Sequence, residues 1–198
     1  MDAPVFHSQA GQDRFVFALL VQPTDKRDGT FLDIGANHPI TLSNTYALEQ
    51  LGWRGLLVDR DLHCRELCEA TRKSPFLFVD AALVAWRRVL SDHGLGPAID
   101  YLSLDCDENT IPVVCNFPWS DLRFSVITIE HDAYRFGDGP RNQQREILSK
   151  HGYDRLCADV HSEGCCFEDW WVDPTRVDMA LAETFRSVGK DWKEMVKL

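Results

Sequence analysis

Acidic residues follow the apolar segments of this 198-residue chain at regular intervals. The acids and one neighbouring histidine are, in chain order, Asp33, Asp59, Asp80, Asp105 with Asp107, and Glu130 with His131 and Asp132. Carboxylates accept hydrogen bonds from hydroxyl and amino groups, take up protons and bind hard cations. Any one of these acids could simply cap a helix. Five acid-tipped segments together favour a polar ligand site.

The turn after the first segment restricts the ligand. Gly35-Ala36-Asn37 lets the backbone pass close to a bound molecule. His38 and Pro39 stand where a dinucleotide fingerprint would carry further glycines, so a pyrophosphate would be poorly held. Asp59 is placed to accept from both hydroxyls of a ribose, and Asp80-Ala81 to accept an adenine amine. A ribose, an adenine, no phosphate and an acidic crevice suited to a sulfonium predict S-adenosylmethionine as the ligand.

Short apolar runs alternate with amphipathic segments along the chain. The runs predict buried strands at 31–36, 55–59, 76–80, 99–105 and 124–130. Helices are predicted at 43–51, at 62–71 and from Pro140 to Gly152, where proline opens the helix and glycine ends it. Strand–helix–strand alternation predicts a doubly wound α/β domain. The acids would then meet in the crevice at the carboxyl ends of the strands.

The two ends of the chain are also predicted to be helical, and no linker or repeat divides the chain. We therefore expect one domain over 1–198, with an N-terminal helix at 9–21, a core at 29–172 and a C-terminal helix at 174–197. Asp173-Pro174 would cap that last helix. Its apolar stripe would pack on the domain's own core, and consists of Val177, Leu181, Phe185, Val188, Trp192 and Val196.

Several motifs in order carry a family resemblance. They are His7-Ser-Gln-Ala-Gly-Gln-Asp13, Gly29-Thr-Phe-Leu-Asp-Ile-Gly-Ala-Asn37, Ser43-Asn-Thr-Tyr46, Gly52-Trp53-x-Gly55, Ile99-Asp-Tyr-Leu-Ser-Leu-Asp105, Ile127-Thr-Ile-Glu-His131 and Phe167-Glu-Asp-Trp-Trp-Val-Asp-Pro174. Over residues 7–174 the chain resembles the FkbM family of S-adenosylmethionine-dependent methyltransferases. The resemblance implies a Rossmann-like class I methyltransferase fold, mostly parallel, with one antiparallel strand near the C-terminus. The last two strands would be 153–160 and 165–172.

The resemblance also implies O-methylation of a sugar or polyketide hydroxyl. The cofactor-side positions that it implies, with Ala81 added from the reasoning above, are Asp33, Gly35, Asn37, Ser43, Asn44, Asp59, Asp80, Ala81 and Asp105. The chain departs from the family where Asp105-Cys106-Asp107 replaces the usual Asp-x-Glu-Gly and where the turn after Asn37 lacks a glycine.

Methyl transfer to a hydroxyl requires that the hydroxyl lose a proton, either to a base or with help from a metal. Asp105, Glu130 and His131 resemble the ligand set of metal-dependent O-methyltransferases of this fold and predict Mg²⁺, Mn²⁺ or Ca²⁺, with Asp107 or Asp132 nearby. Without a metal, His131 would be the base, because its ordinary pKa lies near neutrality. His131, Asp105 and Asp107 are thus the candidate catalytic residues.

The acceptor is predicted to be a hydroxyl on a sugar, a glycan or a glycosylated small molecule. Its binding residues would be Trp119, Tyr134, Arg135 and His38, since aromatic faces stack on sugar rings and arginine anchors anionic groups. Two alternatives remain open. Asp105-Cys106-Asp107 also matches the Asp-x-Asp of nucleotide-sugar-dependent glycosyltransferases, and a degenerate methyltransferase could act as a non-catalytic cofactor-binding subunit.

Composition restricts the partners. The chain has 21 Lys and Arg against 31 Asp and Glu, a formal net charge of −10, and no basic run. Nucleic acids and anionic membranes are therefore disfavoured as partners. Seven cysteines at irregular spacing predict reduced thiols rather than a disulfide framework. With no apolar leader at the N-terminus, we expect a cytoplasmic protein of unknown oligomeric state.

Overall fold

A computed structural model describes residues 4–197 of the chain. Its centre is an eight-stranded sheet with strand order β3-β2-β1-β4-β5-β7-β6-β8. The strands are β1 (Thr30–Ile34), β2 (Arg54–Asp59), β3 (Phe76–Phe78), β4 (Ala98–Leu104), β5 (Arg123–Glu130), β6 (Asp154–Ser162), β7 (Cys165–Val172) and β8 (Ser187–Val188). Only β7 runs antiparallel to its neighbours, β5 and β6. The predicted mostly parallel sheet with one antiparallel strand near the C-terminus is confirmed.

Helices cover both faces of the sheet. The α-helices are α1 (Gln12–Val16), α2 (Tyr46–Gln50), α3 (Leu62–Thr71), α4 (Trp86–Asp92), α5 (Thr110–Asn116), α6 (Ala133–Phe136), α7 (Asp138–Lys150), α8 (Met179–Ala182) and α9 (Trp192–Met195). The other helical segments are a π-helix at Phe17–Val21 and 3₁₀ turns at Ala81–Leu83, Asp107–Asn109 and Glu183–Phe185.

Alternating strand residues fill two apolar layers, because successive side chains of a strand point to opposite faces. Phe31 belongs to the layer under α1, α2 and α3, whereas Leu32 belongs to the layer under α4, α5 and α7. Two covered faces explain why the strands read as continuous apolar runs. The sheet holds the carboxyl ends of β1 to β5 at one edge, where the acidic residues follow.

The predicted C-terminal helix at 174–197 is wrong. Asp178 and Asp191 each cap a separate short helix, and Gly189 adopts a left-handed conformation with φ of 61°. Between the caps lies β8, which pairs with β6. The spacing of apolar residues nevertheless reflected burial, since all of the predicted stripe packs on the core except Val188, which is 73% exposed.

Where the sequence predicts an N-terminal helix at 9–21, α1 begins at Gln12 and continues as the π-helix to Val21. Within the predicted domain of 1–198, residues 1–3 and 198 lie outside the described residues.

Candidate functional site

The site begins at the turn after β1. Gly35 adopts φ of 83°, in the left-handed region that favours glycine. Its N–H donates to the carbonyl of Val58 at 2.9 Å, and Asp105 N–H donates to the carbonyl of Ile34 at 2.9 Å. A Cβ atom on Gly35 would overlap the carbonyl oxygen of Asp105. The missing side chain therefore lets the ends of β1 and β4 come together at the floor of a crevice.

A cavity of about 260 Å³ occupies this crevice, at the carboxyl ends of the first strands. It brings together most residues that the sequence predicted for the cofactor. Those that line it are Asp33, Gly35, Asn37, Asn44, Asp59, Asp80, Ala81 and Asp105, and the predicted catalytic residue Asp107 lines it as well. The same walls carry residues that the sequence reasoning missed: Gln9, Thr41, Leu42, Cys64 and Asn109.

Ser43 is the one predicted cofactor residue that does not line this cavity. Its hydroxyl accepts from Arg72 Nη1 at 3.3 Å and from the N–H of Tyr46 at 3.2 Å. Arg72 is itself fully buried, and also donates to Thr45 Oγ1, to the carbonyl of Pro39 and to Glu49. Ser43 thus stabilises the loop that carries Asn37 and Asn44 instead of facing the ligand. Nothing in the sequence spacing of Arg72 pointed to this network.

Asp59 has the geometry expected of a diol-binding acid. Its Oδ2 accepts from the N–H of Asn37 and its Oδ1 from the N–H of Asp61, both at 2.9 Å. These bonds fix the carboxylate, and each oxygen retains acceptor capacity for a further donor.

Two other acids in the walls make internal bonds. Asp80 Oδ1 caps the following 3₁₀ turn through the N–H of Ala82 at 3.0 Å. Asp33 is buried and accepts from Thr45 Oγ1 at 2.6 Å. Burial raises the pKa of the Asp33 carboxyl above its ordinary value.

Asp105 and Glu130 form a carboxyl pair at the ends of β4 and β5. Burial, the bond that they share and the repulsion between them raise the pKa of Glu130 far above its ordinary value. Burial likewise raises the pKa of Asp105. The pair therefore holds a proton at neutral pH. Glu130 Oε2 also accepts from the N–H of Asp107 at 3.2 Å, which fixes the start of the next turn.

The predicted grouping of His131 with Asp105 and Glu130 is wrong. Successive residues at a strand end point to opposite faces, and the His131 side chain is fully buried away from the pair. Its Nε2 lies 3.5 Å from Asp159 Oδ1 and 3.7 Å from Asp169 Oδ1, while its Nδ1 accepts from the N–H of Ala133. Burial lowers the pKa of His131 to about 4. His131 is therefore neither the exposed base nor a ligand in the predicted set.

The cluster around His131 carries its own counter-charges. Arg145 donates to both oxygens of Asp169, at 2.7 and 2.8 Å, and Arg141 pairs with Asp159 at 2.7 Å. The ligand atoms of His131, Asp159 and Asp169 lie close enough to share a cation. Two guanidinium groups already supply that positive charge, so the cluster is a salt-bridge network joining α7 to β6 and β7.

A second group of acids lies where β4 and β5 end. Oxygens of Asp107, Glu130 and Asp132 lie within 4.8 Å of one another. Arg135 Nη1 donates to Asp132 Oδ2 at 2.8 Å and also to Asp107 Oδ1. These bonds raise the pKa of Arg135 above its ordinary value. Arg135 is thus an ion-pair partner of Asp107, whereas the sequence predicts that it binds the acceptor.

Trp119 is not an acceptor residue. It precedes β5 and so lies at the amino edge of the sheet, opposite the crevice. Its side chain is 4% exposed and packs on Phe117 and Phe124, and its Nε1 donates to the carbonyl of Val114.

Tyr134 and His38 are the remaining residues predicted to bind the acceptor, and the structure places them differently. Tyr134 follows β5 and is 56% exposed. His38 is exposed, but its Nδ1 accepts from the N–H groups of Ile40 and Thr41 and closes its own loop. Tyr134 therefore stays a prediction, whereas His38 has the loop-closing role.

A further cavity of about 530 Å³ adjoins the first. It lies between the start of α5, the end of β5 and the helices α6 and α7. The residues lining it are Asp107, Glu108, Thr110, Ile111, Pro112, His131, Phe136, Gly139, Pro140, Gln143 and Gln144. Among the described residues, Asp107 alone lines both cavities.

The strand order and the crevice can be compared with known proteins. No protein-family model and no curated protein matches the sequence. Solved structures do match. A TehB-like SAM-dependent methyltransferase from Corynebacterium glutamicum aligns with a TM-score of 0.55 at 13% identity, over 83% of this chain and 88% of that one. The fold is that of the class I S-adenosylmethionine-dependent methyltransferases.

Other methyltransferases align in the same way. A candidate O-methyltransferase from Klebsiella pneumoniae has a TM-score of 0.53 at 17% identity, over 86% of this chain and 83% of that one. An rRNA methylase from Streptococcus thermophilus has a TM-score of 0.50 at 11% identity, over 82% and 93%. The solved structures with this fold thus include an rRNA methylase as well as a candidate O-methyltransferase. In the described part of this chain, no helix is long and apolar enough to cross a bilayer.

Proposed function

We propose that this chain is an S-adenosylmethionine-dependent O-methyltransferase that acts on a hydroxyl of a sugar, a glycan or a glycosylated natural product. The observation that carries the proposal is the position of Asp107. This acid joins the cavity beside Gly35 to the adjoining cavity between α5 and α7. A methyl donor in the first cavity and an acceptor in the second would meet at its carboxylate.

The residues of the first cavity fit the cofactor. Asp59 presents a fixed carboxylate with acceptor capacity for two hydroxyls, and Gly35 and Asn37 line the cavity beside it. The excess of acids along the wall suits a molecule that carries a positive charge. S-adenosylmethionine supplies a methyl group that a hydroxyl oxygen displaces from sulfur, with the electron pair of the broken bond returning to sulfur.

The chain's own part in the reaction is to orient the hydroxyl and to take its proton. Asp105 and Glu130 already hold a proton between them, which leaves Asp107 as the acid free to accept another. Arg135 fixes the Asp107 carboxylate from the side facing Asp132. Asp107 is therefore the proposed base. It is one of the three candidate catalytic residues predicted from the sequence, with His131 and Asp105.

The divalent cation predicted from the sequence fits this arrangement poorly. Its three proposed ligands do not converge, because His131 faces Asp159 and Asp169. In the other acidic group, that of Asp107, Glu130 and Asp132, Arg135 donates to oxygens of both Asp107 and Asp132. No step of the proposed reaction runs through a metal.

The choice of acceptor rests on the FkbM-like motifs and on the charge of the crevice. Acids line both cavities, and Tyr134 is exposed beside them. Such a surface suits a neutral or cationic molecule better than a polyanion such as RNA. The net charge of −10 supports the same choice.

The test is a transfer assay with methyl-labelled cofactor against panels of glycans, macrolides, catechols, peptides and nucleic acids. Label on a hydroxylated sugar or natural product is the expected result. Label on protein or nucleic acid alone would overturn the acceptor assignment and leave cofactor binding intact. Failure to bind S-adenosylhomocysteine in calorimetry would overturn the proposal as a whole.

A further inference from the structure

The cavity between α5 and α7 contains a buried acceptor without a partner. Gln144 lines the cavity and is 1% exposed. Its Nε2 donates to the carbonyl of Glu130 at 2.6 Å, which determines the orientation of the amide. Its Oε1 is buried and has no hydrogen-bond partner. A buried acceptor of this kind costs free energy unless a donor reaches it.

The charges along this cavity have one sign. Asp107 and Glu108 are the ionisable acids of its lining, and no Lys or Arg stands among the described residues that form it. Arg60 approaches Glu108 only at 3.5 Å, with both side chains more than half exposed. Such an exposed pair is weak, so Glu108 can exchange Arg60 for a cation of the ligand. Arg135 binds one oxygen of Asp107, and the second oxygen is the proposed base, so Glu108 is the acid that remains for a ligand cation.

The remaining walls are apolar. Ile111, Pro112, Phe136 and Pro140 surround the polar groups. A volume of about 530 Å³ lies within the range of small-molecule sites, which combine apolar walls with a few placed polar groups. Gln144 Oε1 and the Glu108 carboxylate, set among apolar walls, select a ligand that brings its own donors and its own positive charge.

We propose that this cavity binds a protonated amine carried on an apolar frame. The ammonium group donates to Gln144 Oε1 and to the carboxylate of Glu108, while the frame packs on Phe136 and Pro140. The inference rests on the proposed function, in which this cavity is the acceptor side of the site. The hydroxyl that is methylated and the amine that is held then belong to one acceptor molecule.

The test compares three probes of one shape: 2-phenylethylamine, 2-phenylethanol and phenylacetate. Their dissociation constants are measured by NMR titration of the full chain, with and without S-adenosylhomocysteine. The amine should bind at least about tenfold more tightly than the alcohol, because charge-assisted hydrogen bonds are the stronger ones. Phenylacetate should bind more weakly than either. Equal affinity for amine and alcohol, or tighter binding of glucose than of the amine, would overturn the inference.

Glu108→Gln supplies the matched variant. It removes one charge at nearly constant size from a side chain that is 62% exposed, so the fold is retained. The preference for amine over alcohol should fall at least about threefold in this variant, with alcohol affinity unchanged. Glu146→Gln removes the same charge from an exposed position of α7 outside the lining, and should leave the preference intact. Equal effects of the two variants would reduce the preference to net charge and overturn the site.

The two proposals fail separately. Amine preference without binding of S-adenosylhomocysteine would support this site and overturn the proposed function. Binding of S-adenosylhomocysteine without amine preference would overturn this site alone.

Discussion

The α-carbon of Gly35 lies so close to the carbonyl oxygen of Asp105 that no side chain fits between them. The same glycine has a positive φ, so an alanine there would suffer both strain and overlap with backbone that cannot rotate away. The contact joins the ends of β1 and β4, which form the floor of the cofactor cavity.

Gly35→Ala should therefore destabilise the fold by at least about 3 kcal/mol, measured by urea denaturation. Gly96→Ala is the matched control, since a Cβ there meets nothing within 4 Å and φ is not positive. It should change stability by less than about 1 kcal/mol. A Gly35→Ala variant as stable as the wild type would contradict the close approach of β1 and β4.

Removing the Asp59 carboxylate should weaken cofactor binding. Asp59→Ala leaves two ligand hydroxyls without an acceptor, a loss of about ten- to hundredfold in affinity for S-adenosylhomocysteine by calorimetry. Asp92→Ala, an exposed acid at the end of α4, should leave that affinity unchanged. Unchanged affinity in Asp59→Ala would refute the assignment of the ribose to this acid.

Replacing the proposed base should act on the rate rather than on cofactor binding. Asp107→Asn should lower kcat by about 10²- to 10⁴-fold, because the hydroxyl then loses its proton acceptor. Affinity for S-adenosylhomocysteine should stay within about twofold, since Asp59 remains in place. If kcat fell equally in Asp92→Asn, or not at all in Asp107→Asn, the proton would have another destination.

Glu168 should make stability depend on pH. It is buried in β7 and bonded to Trp170 Nε1 at 2.7 Å, and burial raises its pKa from 4.5 to about 8. Between these values the folded chain holds a proton that the unfolded chain has lost. The stability contributed by protonated Glu168 is therefore complete below about pH 4.5 and is lost as pH rises towards about 8.

The measurement is the difference in Tm between the wild type and Glu168→Gln from about pH 6 to pH 9. The wild type should lose stability relative to the variant as pH rises. The exposed Glu146→Gln should follow the wild type throughout. Parallel curves for the wild type and Glu168→Gln would show that this carboxyl ionises normally.

Chelation should leave turnover intact, because Arg135 already occupies oxygens of Asp107 and Asp132. The assay is methyl transfer after dialysis against EDTA, with the rate expected within about twofold of the untreated protein. Activity that is lost with EDTA and returns with Mg²⁺ or Mn²⁺ would support the cation predicted from the sequence. It would also show that Arg135 does not exclude a cation from Asp107 and Asp132.

The parts of the fold that follow from short-range patterns were predictable. Strands β1, β2, β4 and β5 appear as apolar runs because both of their faces are covered, and Leu62–Thr71 matches the predicted helix at both ends. The run predicted as a buried strand at 76–80 is instead the short edge strand β3, in which Phe78 is 45% exposed. The meeting of Asp59, Asp80 and Asp105 at one cavity follows from parallel strands sharing an edge.

The sequence predictions fail where a residue's role depends on the direction of its side chain or on residues distant in the sequence. Neighbours in sequence such as Glu130 and His131 face opposite ways at a strand end. Trp119 precedes its strand and so lies at the far edge of the sheet. A glutamine in the middle of a helix, such as Gln144, gives no signal that its amide will be buried against the carbonyl of Glu130.

The meeting of two cavities at Asp107 has a kinetic consequence. Each cavity is open to solvent, and they share one lining residue, so neither ligand needs to cross the other's site to enter or leave. We therefore expect random order of addition, with each product inhibiting competitively only against the substrate that it replaces. The spent cofactor could then be exchanged while a large acceptor stays bound, which permits successive modifications in a single encounter.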